Sequence, residues 1–296
     1  MRIACIHVPQ FALQCATRLD PSLRGAAVAV VGGTEPGRTS MAGVLHAPVV
    51  LACSRAAWSL GVRLGMTATA ARNLSPEISV VHADALAERE AVRAIADALL
   101  SASPVVDTGG RVGAGAAHLA MYCEVPQKTR GSAFGDRLVE LLSELGLSAR
   151  IGIADDRFTA WVAAAYGAHG TPHTDDHAAT VVAVPRGGSA AFLAPRPLSL
   201  LAITPEVQHM LESLGVRTLG EFASLPAPSV ARPLEADYQA LARGESGASL
   251  RSYMPEAPIR EDIVVSAGSV LEAPGSLGGA AAIALVARRI ALRLAG

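Results

Sequence analysis

Residues 53–84 read CSRAAWSLGVRLGMTATAARNLSPEISVVHAD, and the order of signals in this stretch decides the fold. Ser54 stands where an N-cap is needed for the short helix RAAWSL, and Gly61 closes that helix. Thr67 caps a second short helix, TATAARNL, which ends before Pro76. The apolar segment ISVVHAD then reads as a strand entering a long helix, ALAEREAVRAIADALLSA, with a buried face marked by positions 92, 95, 99 and 100.

Reading outward, RIACIHV at 2–8 is a buried-strand run stopped by Pro9. A second run, AAVAVV at 26–31, is ended by Gly32 and Gly33, and VVLACS forms a third that leads to Ser54. Downstream, PVVD and AAHLAMYC are strand-like. The helix FGDRLVELLSELG ends at Gly146 and returns into the strand SARIGIA, and the helix RFTAWVAAAY runs to Gly167. Helices packed on one sheet with hairpin-like returns predict an α+β fold and not a doubly wound one. From residue 195 the strands cease. PRPLSLLAITPEVQHMLESLGVRTLGEFASLP is a series of short helices with tight turns. An Arg-, Gly-, Pro- and Ser-rich linker then precedes a strand, IREDIVVSAGS, and a helix over GGAAAIALVARRIALRLAG.

Composition narrows the function. The 296 residues are 51% hydrophobic and 17% charged, enough for two or three domains with real cores. No apolar run reaches about 18 residues, and the N-terminus lacks the features of a signal peptide, so the expected location is the cytoplasm, away from membranes. The net charge is −1. Strong non-specific nucleic-acid binders carry a basic excess, so any grip on DNA is expected to be local, weak and salt-sensitive. Lys128 is the only lysine. Cys5, Cys15, Cys53 and Cys123 show no CxxC spacing and read as reduced, buried thiols.

The segment LESLGVRTLGEFASLP, 211–226, reads as the second half of a helix–hairpin–helix. Gly215 permits the turn, Val216 plugs the apolar side, Thr218 caps the next helix, and the backbone N–H groups of Gly215, Val216, Arg217 and Thr218 are candidate phosphate donors to DNA. Together with residues 53–84 and with ARIGIADDRFTAWVAAAYG at 149–167, this resembles the Y-family DNA polymerases over residues 1–250. The resemblance implies a palm from 1–10 and 75–194, fingers over 11–74, a helix–hairpin–helix thumb over 195–244, a linker over 245–258, and a partial little-finger domain over 259–296.

The departures from that family are as informative as the matches. Active members begin with D-x-D-x-F, and aligning on Phe11 puts His7 and Pro9 at the two acids; no Asp or Glu precedes Asp20. The family's second acidic pair falls near Val112 and Gly113, and PVVDTGGRVGAGAAHLAMYC has no carboxylate between Asp107 and Glu124. Asp107 matches a structural acid. The tyrosine and arginine that hold the incoming triphosphate are matched by Arg55 and Trp58, and the two later lysines by Arg157 and Trp161. Joint loss of metal and triphosphate ligands resembles the ImuB group. That likeness implies no catalysis, no metal, no cofactor, and a hub role joining a RecA-like accessory protein, an error-prone polymerase alpha subunit and the sliding clamp. An active polymerase with relocated ligands, or a small-molecule α/β enzyme with a helical appendage, are the rival readings.

Other patterns weigh less. His169, His173 and His177 lie beside Asp175 and Asp176, but Gly170 and Pro172 interrupt any helix, so a solvated loop is expected. GGRVGAGAAH lacks the third glycine of a dinucleotide fingerprint, and VVGGTEPGR lacks the Lys-Ser/Thr of a P-loop. Gln208 and Leu211 loosely match a clamp-binding Q-x-x-L, yet fall in a helix where packing explains them better.

Overall fold

The computed structural model describes residues 1–32, 48–112, 117–127, 129–167, 180–226, 233–246 and 249–255. The chain forms two compact units, Met1–Tyr253 and Met254–Gly296. The described elements all belong to the first. In chain order they are β1 (Ile3–Val8), α1 (Phe11–Leu19), β2 (Val28–Gly32), β3 (Val49–Cys53), α2 (Arg55–Ser59), α3 (Ala68–Leu74), β4 (Ser79–His82) and α4 (Ala85–Leu100). There follow β5 (Val106–Val112), β6 (His118–Glu124), α5 (Gly131–Glu144), β7 (Arg150–Ala154), α6 (Arg157–Tyr166), β8 (Thr180–Ala183), α7 (Ser189–Leu193), α8 (Pro205–Ser213), α9 (Leu219–Ala223) and α10 (Pro233–Ala242).

β1 is buried along its whole length, which suits a central strand covered on both faces. It is the middle of a five-stranded sheet ordered β5-β6-β1-β7-β8, antiparallel to β6 and to β7, while β7 and β8 run parallel. Ala4, Ile6 and Val8 point into a core with Ile95 and Leu99 of α4 and Leu138 and Leu142 of α5. Ile3 and Cys5 point the other way, toward Ala160, Ala163 and Ala164 of α6. That second contact is very close. A Cβ on Gly152 of β7 would stand 2.0 Å from the Ala160 carbonyl oxygen and 2.4 Å from the Ala164 nitrogen, so the alanine-rich helix lies on bare strand backbone.

A second sheet, β3-β2-β4, is covered by α2 and α3 through Ala57, Val62, Ala68 and Ala71. Its other face meets Ala12 and Leu13 of α1. α1 therefore lies between the two sheets, since its Phe11 and Cys15 belong to the main core. The small sheet takes its third strand, β4, from beyond the 11–74 span expected for the fingers. A third cluster gathers α7 to α10 around Leu193, Leu211, Val216, Leu219 and Phe222, and reaches Val162 of α6.

Caps behave as their residue types dictate. The side chains of Ser54, Thr67, Asp156 and Thr218 each accept a backbone N–H at a helix start. All four cysteines are buried free thiols. Burial pushes Cys15 and Cys123 up to about 12, so they act as small hydrophobes. Elements without a counterpart in the sequence reading include α1, which starts at Phe11 after its N-cap Gln10, β8 and α7.

The stretch expected as a linker is pinned where it is described. The Tyr253 N–H donates to the Val106 carbonyl at 2.6 Å, the Arg251 N–H to the Asp107 carboxylate at 3.0 Å, and the Tyr253 hydroxyl meets Asp97 at 3.1 Å. It thus covers part of the β5 edge. Residues 259–296, the expected partial little finger, lie outside the described residues, as do the 169–177 histidines and the residues of VVGGTEPGR from Gly33 onward. Among the described residues no helix is long and apolar enough to cross a membrane.

Candidate functional site

Strand pairing assembles one row across the sheet: Gly110 on β5, Ala120 on β6, His7 on β1 and Arg150 on β7. Because strand side chains alternate, His7 shares the face of Ile3 and Cys5, and the paired Arg150 joins it. Two register steps on, Val112 pairs with His118, which points to the same face. Gly110 and Ala120 leave room in this row, and the two imidazoles occupy the space, with ring centroids 5.1 Å apart and tilted by 43°. His7 is 3% exposed and Arg150 4%. β5 reaches this row through an irregularity between Asp107 and Gly110. Gly109 makes that possible with φ +57, since a Cβ there would lie 1.9 Å from the Ala120 carbonyl oxygen.

Gln10 closes the end of the site. It is the only non-glycine residue with positive φ among the described residues, at φ 45. Its N–H donates to His118 Nδ1 at 3.1 Å, and its side-chain oxygen accepts the Cys53 N–H of β3 at 3.1 Å. That acceptor role requires a neutral His118. The environment agrees: burial, then the charges of Arg150 and Arg111, push His118 down to about 4. Pro9 is buried beside it and offers only its carbonyl, which accepts from the Gln14 side chain at 2.8 Å. Gly113 lies outside the described residues.

The acids in the neighbourhood are committed elsewhere. The Asp107 carboxylate accepts from the Gly109 N–H at 2.8 Å, from Arg157 at 2.7 Å and from the Arg251 N–H at 3.0 Å. Asp156 caps α6, and Asp155 accepts the Gly187 N–H at 2.6 Å. Glu88 pairs with Arg111 on the opposite face of the sheet, where the guanidinium lies 4.8 Å from the Phe11 ring centroid. Among the described residues no group of three or more His, Cys, Asp or Glu side chains is placed to hold a metal ion.

Of the four positions expected to be altered for nucleotide binding, the two on α6 are occupied with other work. Arg157 is bonded to Asp107 and lies 4.0 Å over the Tyr122 ring. Trp161, one turn on, packs between Phe158 and Tyr166 at 5.8 and 5.9 Å. Arg55 and Trp58 are exposed on α2.

The hairpin N–H groups expected to face a phosphate have acceptors within the hairpin. Gly215 has the predicted positive φ, +87, and Val216 is buried, so the turn forms as read. Its N–H groups, however, are not available to a phosphate in this conformation. Gly215 donates to the Glu212 carbonyl at 3.1 Å and Val216 to that of Leu211 at 2.9 Å. Arg217 and Thr218 both donate to the Glu221 carboxylate, at 2.8 and 2.9 Å. Thr218 and Glu221 form a capping box, a signal present in the sequence as T-x-x-E. Leu211 is buried and Gln208 bonds Glu212 at 2.8 Å, so packing accounts for that pair.

His118, Arg150 and Gln10 were not singled out from sequence. A period-2 reading of SARIGIA puts Arg150 on the face of Gly152, but nothing local says that this face meets His7.

With this geometry in place, comparison with known proteins is informative. The model of the impB/mucB/samB family matches residues 6–165. The DNA polymerase IV of Dehalococcoides mccartyi is 28% identical over 233 residues, 76% of this chain and 53% of that protein. The DNA polymerase IV 2 of Mesorhizobium japonicum is 30% identical over 217 residues, 73% and 46% respectively. The chain thus spans about half the length of these relatives. Among solved structures, the insertion ternary complex of Dbh DNA polymerase superposes with a TM-score of 0.66 at 16% identity, covering 84% of this chain and 69% of that one. DinB from Sulfolobus solfataricus gives 0.64 at 15% identity, covering 85% and 70%. The α+β architecture is therefore that of the Y-family polymerases over most of the chain.

A pair of divalent ions is what this fold implies at the His7 row. The donors present do not fit them. Mg²⁺ takes oxygen ligands, chiefly carboxylates, whereas the row offers imidazole nitrogens and a buried guanidinium whose charge repels a cation.

Proposed function

This chain belongs to the impB/mucB/samB family, and on that premise we propose that it is a Y-family polymerase-like protein of DNA damage tolerance that binds without polymerising. One observation supports the reading: the buried row that holds His7, which the resemblance matches to a metal-binding acid, gathers His118 and Arg150 around it and carries no carboxylate. Nucleotidyl transfer uses two ions to clamp the attacking and leaving oxygens. If those ions supply about 5 kcal/mol of transition-state stabilisation, their loss slows the step by roughly three to four powers of ten.

The relatives' names favour the rival, an active translesion polymerase with relocated ligands. Against it stand the three donors that already occupy Asp107 and the commitments of Asp155, Asp156 and Glu88. Resemblance to the ImuB group supports a cytoplasmic hub that engages a RecA-like accessory protein, an error-prone polymerase alpha subunit and the sliding clamp. The net charge of −1 supports weak, salt-sensitive binding of primer-template DNA. With Glu221 seated on the thumb hairpin, its N–H groups join that grip only if the carboxylate swings aside.

Primer extension with Mg²⁺ or Mn²⁺ tests the reading. The expected result is no product; robust extension that disappears in Asp107→Asn establishes the rival. Pull-downs with the three partner classes test the hub.

A further inference from the structure

The helical layer over the small sheet carries a surface that neither the palm row nor the hairpin uses. Residues 54–76 contain Arg55, Arg63 and Arg72 and no Asp or Glu, and all three arginines are exposed. Trp58 sits among them 48% exposed, a large fraction for an indole. The Arg63 guanidinium lies 4.1 Å from the centre of its ring. It is held there by donating to the Trp58 and Val62 carbonyls, both at 2.8 Å. The turn that brings Arg63 back is fixed by Gly61, at φ +100, and by buried Val62. Arg55 precedes Trp58 by three residues, so the two share one side of α2.

We propose that this surface is a stacking site for an unpaired base of single-stranded DNA. The base lies on the side of the Trp58 ring away from Arg63, and a flanking phosphate faces Arg63. A flat aromatic backed by a guanidinium, on a segment that has no carboxylate of its own, matches a base and its backbone. Exposed Leu60 and Leu74 make an acidic, apolar peptide the competing occupant. The proposal rests on the DNA-binding reading above and gives it a specific contact.

The test uses intrinsic fluorescence of the full chain at about 50 mM salt, titrated with a twelve-residue oligothymidylate and with an abasic strand of equal length. Binding is followed independently by anisotropy of a labelled strand. The oligothymidylate is expected to quench emission and the abasic strand to leave it unchanged. Trp58→Phe retains only the Trp161 signal and should lose the quenching, while Trp58→Ala weakens binding about tenfold with an unchanged circular dichroism spectrum. Binding with unaltered emission, or equal affinity in Trp58→Ala, overturns the proposal and leaves the DNA-binding reading standing. Equal quenching by the abasic strand, or stronger quenching by an acidic leucine-containing peptide, also overturns it. Absence of any DNA binding overturns both.

Discussion

The row across the large sheet is built of imidazoles and a guanidinium, where the proposed reading expects cation ligands, and the α8–α9 hairpin seats the carboxylate of Glu221, where that reading expects an anion. The backbone keeps its shape in both regions. On the proposed reading, what differs from a catalytic member is the sign and identity of a few polar side chains. Shape here depends on apolar periodicity and on glycines at close approaches, whereas ligand chemistry depends on side chains that touch little of the core, so the second can be lost while the first persists. The two regions differ in how firmly they are built. The row lies two residues along β7 from Gly152, where strand backbone meets the backbone of α6, and the hairpin is a surface turn.

The largest effect that separates them should come from the glycine beside the row on β7 and the glycine of the hairpin turn. Gly152→Ala drives a methyl into the α6 backbone and is expected to cost on the order of 3 kcal/mol or more, seen as a lower denaturation midpoint. Gly215→Ala meets open space but keeps a positive φ, for a cost of about 1 kcal/mol. Equal losses would break the contrast.

Acidification sharpens it next. His118 is held near 4 when folded and titrates near 6.5 when unfolded. The unfolded chain therefore binds the extra proton first. Stability falls as pH drops from about 6.5 to about 4, by on the order of 3 kcal/mol, and then levels off. Glu221 is held below its ordinary value by the Arg217 and Thr218 N–H groups. Its contribution is present above the ordinary carboxylate range and is lost only as pH falls through its lowered value. Chemical denaturation from pH 7 to pH 4 should show the first slope, and His118→Asn should flatten it.

A smaller effect is expected at the hairpin cap. Thr218→Ala should cost about 1 kcal/mol in thermal denaturation. Smallest of all, Glu221→Gln keeps a capping side chain but removes a negative charge, and should tighten DNA binding roughly twofold at low salt. An unchanged affinity would mean that the hairpin does not face phosphate.

Much of this was legible in sequence because it is local. Ser54, Thr67 and Thr218 were readable as caps, and the burial of β1 followed from its apolar run. α1 escaped because its N-cap is Gln10, which makes no side-chain cap bond, and Pro9 masked the restart. The convergence of His7, His118 and Arg150 escaped for a different reason. It arises from the pairing of strands 111 and 143 positions away from His7 in the chain, information that no local period contains.

Gln10 ties these regions together mechanically. One residue holds an N–H of the small sheet with its side chain and a ring of the large sheet with its backbone, in a twisted conformation that a non-glycine residue adopts at some cost. Tilting the small sheet would first pull on this peg, so the attitude of one lobe is registered at the heart of the other.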